Sequence, residues 1–368
     1  MIRLLQVVDG AGWGGTKEQT YLISKGLVKR GVEVHMAISF GYELMVKRLM
    51  GHSVKFHFFE NHDRLPRLNP LNYYRLWKIL KENNFDIVVA NSPHAFDFVR
   101  VLLPLLSTKP KIVAYKRTGK SSSAFSKLFK YSAADRIVVV DKSTFERLKE
   151  ENFFPDRLRY IPSGIDLERF SPLGREKAME KRKELGLDAG KRVFINVANW
   201  NPTHKGQPLL IEAFARLNCP DCILLLVGIG TDREAPAYGE KYGLGNRLLG
   251  FGFREDIPEL LGMADYFVFS SYFEGIAGAV LQAMACGKVV ISTLAGGIRD
   301  YLHDGVNGLA VEVGDLEGFV NKLKVALRMG REEYEFISQR AIQTAREYSI
   351  EKTVDGYMEL FRELVGKP

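Results

Sequence analysis

Glu274 lies in a loop, Ser270 to Ile276, and Gln282 follows eight positions later within YFVFSSYFEGIAGAVLQAMACGKVVISTLAGGIRD, residues 266–300. The 3.6-residue period places Gln282 about two turns down a helix over Ala277–Ala285. Free N–H groups at the start of that helix favour an anion beside them. A carboxylate, an anion site and an amide in that order can hold both ends of an elongated, polyhydroxylated ligand with a phosphate in its middle. One more βαβ unit with a solvated glutamate would carry the same residues, so this stretch alone leaves both readings open. Lys205, in the loop Ala198–Gly206, is a cation that a phosphate would need nearby.

Repeated strand and helix patterns must position these groups. The apolar run Tyr266 to Phe269 is the length of a buried strand, and Val280, Leu281 and Met284 are spaced to face a core before Gly287 stops the helix. Upstream, Val193–Val197, Ile223–Val227 and Leu248–Phe251 are strand-like, and each ends in a glycine or polar loop: Asn199–Gly206, Gly228–Gly230 and Gly252–Asp256, the last containing Arg254. Open parallel sheets bind ligands at such strand ends.

The first half repeats the scheme. Met1–Val8 leads into a glycine loop in which Gly10, Gly12 and Gly15 spell G-x-G-x-x-G, followed by a helix over Thr16–Arg30. The dinucleotide fingerprint also wants an acid after the second strand. Glu33–Ile38 ends in Ser39-Phe40 instead, which favours a bare-backbone approach to a phosphate or sugar over NAD. Asp86–Ala90 ends in Asn91-Ser92-Pro93-His94, and Lys111–Tyr115 ends in Lys116-Arg117-Thr118, so Lys116 and Arg117 are further strand-end candidates, and His94 either touches a substrate or satisfies its loop.

At 368 residues and 46% hydrophobic composition the chain suits two domains with real cores. Residues 1–165 hold 27 Lys and Arg against 15 Asp and Glu, whereas the remainder holds 25 against 29. That asymmetry points the first half at an anionic partner. Lys109 to Lys130 carries seven basic residues and no acid, with Phe125, Leu128 and Phe129 on one helical face, the pattern either of a segment lying on an anionic bilayer or of a core-facing helix with solvated lysines. Nucleic acid is disfavoured because no binding motif accompanies the charge. No apolar run approaches the ~20 residues of a membrane span, and no signal-peptide layout opens the chain, so a cytoplasmic, peripheral protein is expected. Three cysteines argue against a disulfide framework, and Cys219-Pro-Asp-Cys222 reads as a turn.

Taken together, several motifs resemble family 4 of the retaining glycosyltransferases. They are Gly14-Gly15, Pro162-Ser-Gly-Ile-Asp166 with Phe170, Lys205-Gly206, Gly228-Ile-Gly230, Phe251-Gly252, Ala264-Asp265, and most specifically Ser270-Ser-Tyr-Phe-Glu-Gly275 continuing to Leu281-Gln-Ala-Met-Ala-Cys-Gly287 and Gly296-Gly297. The resemblance covers nearly the whole chain. It implies the α/β GT-B fold of two facing Rossmann-like domains: 1–165 on the acceptor side, 166–345 binding the nucleotide sugar, and a C-terminal helix, 346–368, packing back on the first domain. It also implies retaining, metal-independent sugar transfer from a nucleotide-diphosphate sugar, with no cofactor, to a lipid-linked or oligosaccharide acceptor, as in lipopolysaccharide-core or other cell-envelope glycan synthesis on the inner membrane face.

Carried over by position, Lys205 would neutralise the donor diphosphate and Glu274 would bind the donor sugar. The backbone of Gly275, Ile276 and Ala277 would hold hydroxyls and phosphate, and Gly15 would approach from the first domain. Asn199, Gly228, Arg254 and Gln282 complete the implied donor set. Three departures stand out. Gln282 occupies the place of a usual Glu, which removes charge from the ribose grip. Asn199 replaces a common Arg, so the second cation is absent or is supplied by Arg254 or Lys116-Arg117. Lys116-Arg117-Thr118 stands where the first domain often has a histidine. Two other readings remain: an NAD-dependent oxidoreductase or epimerase using Gly10–Gly15, and a non-catalytic glycan- or membrane-binding subunit.

Overall fold

The computed structural model describes residues 1–10, 12–62, 65–116 and 130–366. Arg117 and the Phe125, Leu128 and Phe129 face of the basic segment lie outside the described residues. The chain divides into two compact units, Met1–Gly164 with Ile350–Pro368, and Ile165–Ser349.

The first unit is built on one parallel sheet. Its strands are β1 (Arg3–Val7), β2 (Glu33–Ser39), β3 (Val54–Glu60), β4 (Ile87–Ala90), β5 (Lys111–Lys116), β6 (Arg136–Val139) and β7 (Leu158–Tyr160), in the order β3-β2-β1-β4-β5-β6-β7. The second unit holds β8 (Arg192–Val197), β9 (Cys222–Val227), β10 (Leu248–Gly250), β11 (Tyr266–Phe269), β12 (Val289–Thr293) and β13 (Leu309–Val311), also parallel, in the order β10-β9-β8-β11-β12-β13. Strands covered by helices on both faces read as continuous apolar runs, and Ile87–Ala90 and Cys222–Val227 are buried at every position. Helices supply those covers. Leu76, Phe98 and Val99 pack one face of the first sheet, and Leu22, Leu27, Tyr357 and Phe361 the other. In the second unit Leu210, Phe214, Phe319 and Leu323 lie on one side, with Leu281, Met284, Ala341 and Ala345 on the opposite one.

These are two Rossmann-like α/β units, the GT-B class the motifs implied. The strand order reverses between β1 and β4 in the first sheet and between β8 and β11 in the second. At each reversal the connecting loops diverge to opposite faces, which opens a crevice at the carboxyl end.

The last helix, Ile350–Val365, belongs to the first unit. Val354 rests on Gly26 of the Gly15–Lys29 helix, where any Cβ would overlap the valine methyl. Tyr357 and Tyr115 are hydrogen-bonded through their hydroxyls in the core beneath. The helix itself spans a narrower range than the motif 346–368.

One expectation needs correction. Cys219 and Cys222 are joined as a disulfide at the entry to β9, with Cα atoms 5.3 Å apart. The Cys222 N–H donates to the Cys219 carbonyl at 3.2 Å, so the turn is present and brings the two sulfurs together. Cys286 is free and buried.

Candidate functional site

In the second unit the loops after β8, β11 and β12 close on one another around the β8/β11 reversal. The loop after β8 forms a single turn, Pro202–Lys205, ended by Gly206 at φ +65°. A Cβ on Gly206 would overlap the Ser270 carbonyl oxygen, so only glycine allows this approach. Side chains then fasten it. Ser270 Oγ donates to the Lys205 carbonyl at 3.1 Å and the Gly206 carbonyl at 2.9 Å, and Ser271 Oγ donates to His204 at 2.8 Å. The result is that Lys205 Nζ stands 2.6 Å from Glu274 Oε1.

Glu274 is fixed from the other direction. A Cβ on Gly296 would overlap the Glu274 carbonyl oxygen, and the Gly297 N–H donates to the Gly275 carbonyl at 2.7 Å. Tyr301 donates its hydroxyl to the Ile276 carbonyl at 2.9 Å. Burial pushes that hydroxyl well above its ordinary pKa, with Glu274 adding to the effect, so it stays a donor. The Glu274 side chain is 9% exposed and the Lys205 side chain 24%. A nearly buried carboxylate with one cationic partner leaves its second oxygen for hydroxyl donors.

The helix that follows runs Gly278–Ala285. Its N-cap, Ala277, is left-handed at φ +51°, and no side chain caps the first turn. Non-glycine residues hold that conformation at a cost of order 1–3 kcal/mol, and such strain concentrates at ligand-binding turns. Gln282 lies half-buried on this helix, and its side chain makes no hydrogen bond among the described residues.

Asn199 and Gly228 are structural hinges of the same edge. Asn199 Oδ1 accepts from the Ile229 N–H at 3.0 Å, and its carbonyl accepts from Gln207 Nε2 at 2.9 Å. Gly228, at φ +146°, abuts the Ala198 carbonyl where a Cβ would not fit. Arg254 forks onto Asp256, with Nε–Oδ1 at 2.8 Å and the second nitrogen at 2.5 Å from Oδ2. Lys181 also lies 2.8 Å from Asp256. The Arg254 guanidinium thus already has a carboxylate partner, and that contact holds the Asp256 carboxyl well below the usual range.

The first unit carries the remaining residues. Gly15 opens the helix Gly15–Lys29, with no neighbour in the way of a Cβ. The glycine loop before it is held by Tyr42, 30 positions away, which donates to the Gly12 carbonyl at 2.9 Å, and by Trp13, whose Nε1 donates to nearby Glu18 at 2.7 Å beneath the Arg48 guanidinium. His94 is exposed in the first turn of the helix Pro93–Leu102, and Lys116 ends β5.

Sequence reasoning missed several supports. Tyr301 was not singled out, and Ser270 and Ser271 entered only as part of a motif. The buried Glu60, which accepts from the Gly10 N–H at 2.6 Å, was also overlooked. A polar Glu-Asn-His ending to β3 was its one local signal.

Residues 177–344 match the family of glycosyl transferases group 1, and residues 13–169 match glycosyltransferase family 4. The chain is 29% identical, over 67% of its length and 68% of the relative's, to a UDP-Gal:alpha-D-GlcNAc-diphosphoundecaprenol alpha-1,3-galactosyltransferase of Escherichia coli. It is 32% identical to the lipopolysaccharide core biosynthesis glycosyltransferase LpsE of Rhizobium meliloti, over 54% of this chain and 57% of that one. In fold it is similar to Anabaena HepE in complex with UDP-glucose, at a TM-score of 0.85 and 20% identity, covering 99% of this chain and 100% of that one.

Proposed function

This chain belongs to glycosyltransferase family 4, and on that premise we propose that it transfers a sugar from a nucleotide-diphosphate donor with retained anomeric configuration and without a metal. The acceptor is a lipid-linked or oligosaccharide intermediate of a cell-envelope glycan, such as a lipopolysaccharide core. The protein works at the inner face of the cell membrane, which its basic first unit meets. Among the described residues no helix is long and apolar enough to cross a bilayer, so that association is peripheral in this reading.

The observation that carries the proposal is the Lys205–Glu274 pair, 2.6 Å apart beside an uncapped helix start at the β8/β11 reversal. An entering diphosphate competes with Glu274 for Lys205 and takes up the free N–H groups after Ala277. Both meet the negative charge that grows on the leaving diphosphate as the sugar departs, which lowers the barrier without a metal. Glu274, released in part, accepts hydroxyls of the donor sugar. Gln282 binds ribose hydroxyls through an uncharged amide. His94, Lys116 and Arg117 are assigned to the acceptor or sugar.

The dinucleotide alternative loses ground because the β2 end has Ser39 in place of an acid, and Ser39 is buried and already hydrogen-bonded to Glu60 and to the Gly10 carbonyl. The names of the relatives support the envelope setting. Thermal stabilisation across UDP-, GDP- and ADP-sugars identifies the donor, because a ligand selective for the native state raises Tm. NMR of the product's anomeric proton then tests retention; an inverted product rules this mechanism out.

A further inference from the structure

A cavity of about 620 Å³ opens within the first unit at the carboxyl ends of β1, β3 and β4, and Asp9, Glu60, His62 and His94 are among the residues that line it. Two of these four form a pair. His62 Nδ1 lies 3.2 Å from Glu60 Oε1. The Glu60 side chain is 1% exposed and that of His62 44%, so the imidazole is open to solvent with a buried carboxylate behind it. The ring also rests against Gly10, where an added Cβ would stand 3.5 Å from His62 Cε1. Its second nitrogen, Nε2, makes no hydrogen bond among the described residues.

Glu60 sets which nitrogen carries the hydrogen. Its Oε2 accepts from the Gly10 N–H at 2.6 Å and from the Ser39 hydroxyl. A carboxylate so fixed takes the hydrogen of Nδ1, and Nε2 keeps its lone pair. That arrangement suits a general base. The lone pair is open to a substrate, and an anion on the far side steadies the imidazolium that forms. The other two polar lining groups lack it: His94 makes no side-chain hydrogen bond among the described residues, and Asp9 is engaged by Ser92.

Sugar transfer to a hydroxyl must also dispose of the hydroxyl's hydrogen. We propose that His62 is a catalytic residue of the transfer, the base that takes this proton, and that Glu60 is its positioning residue. The acceptor O–H bond breaks and its proton passes to Nε2. The oxygen's electron pair forms the bond to the anomeric carbon, and the bond from that carbon to the diphosphate breaks, its electron pair leaving on the diphosphate. The imidazolium then returns the proton to water. This rests on the glycosyltransferase reading and adds a proton path to it.

The test uses the full chain with whichever of the UDP-, GDP- and ADP-sugars stabilises it, and follows release of nucleoside diphosphate to two nucleophiles. Water must lose a proton as it attacks; azide attacks as an anion and needs no base. In water, His62→Ala is expected to release about 10²-fold more slowly than the unaltered protein. In molar azide the two are expected to agree within about threefold. Glu60→Gln is expected to behave alike. Its amide oxygen must stay with the Gly10 and Ser39 donors, which turns the NH₂ toward Nδ1 and leaves the ring hydrogen on Nε2. An unchanged rise in Tm with the sugar nucleotide shows that a variant is folded and binds donor. Undiminished release to water by His62→Ala, or an equal loss with both nucleophiles, overturns the inference while the transferase reading stands. No release by the unaltered protein to either nucleophile ends both.

Discussion

The two units share a parallel sheet and a strand-order reversal, yet they build their strand-end loops by opposite means. In the second unit the loops are backbone packed on backbone. Gly206, Gly228 and Gly296 each press against a carbonyl of a neighbouring loop where a Cβ would overlap. In the first unit Gly12, Gly14 and Gly15 have open space around them, and the edge is shaped by side chains such as Glu60, His62, Trp13 and Arg67. A rigid backbone cradle suits a ligand part that does not vary, the diphosphate. Side-chain walls suit a part that varies, which in the proposed function is the acceptor.

The largest expected effect breaks that contrast directly. Gly296→Ala strains a positive-φ position and collides with the Glu274 carbonyl, so urea denaturation should show a loss of about 2–4 kcal/mol together with weakened UDP binding. Gly14→Ala, extended and unobstructed, should change stability by no more than ~0.5 kcal/mol. Similar losses in both would mean that the two glycine loops are not built differently.

A smaller effect sharpens the account of how Glu274 is held. Tyr301→Phe removes the donor to the Ile276 carbonyl inside a buried site, at a cost of about 1–3 kcal/mol. Equilibrium unfolding should register it, and the Kd for UDP should rise; unchanged values for both would remove Tyr301 from the support of the loop.

How far this was legible in the sequence depends on the range of each interaction. Tyr266–Phe269 and Cys222–Val227 announced themselves because doubly covered strands are uninterrupted apolar runs. Lys205 and Glu274 were legible because each sits in a glycine-marked strand end, although their 2.6 Å contact spans 69 positions and no periodicity encodes it. Glu60 was missed for the same reason, since its partner Gly10 lies 50 positions away. The pairing of Arg254 with Asp256 was not anticipated, because Asp256 looked like one more loop acid two residues on. The Cys219–Cys222 bond escaped because a lone C-x-x-C is a turn in most chains.

The smallest effect concerns acid. Burial lowers the pKa of His35 and His57, whose ring nitrogens stand 2.9 Å apart in the first unit. The side-chain hydrogen bonds from Lys55 and His35 lower Glu33 from 4.5 to about 2, so its contribution is full above the unfolded value and is lost only as pH falls from there toward the folded one. The histidines are held neutral, so their contribution is full above the unfolded value of ~6.5 and declines as pH falls through the folded values. Urea midpoints of the first-unit transition should therefore drop between pH 7.5 and 5.5, and His57→Gln should flatten that slope. An equal slope in the variant would place the acid sensitivity elsewhere.

The central claim is that Lys205 and the loop of Glu274 hold the donor diphosphate without a metal. Release of nucleoside diphosphate from the stabilising nucleotide sugar, measured in EDTA, tests it most directly. The account predicts release by the unaltered protein and a fall of about 10²–10³-fold in both Lys205→Ala and Glu274→Ala. Undiminished release by either variant, or none from the unaltered protein until a divalent cation is restored, would contradict it.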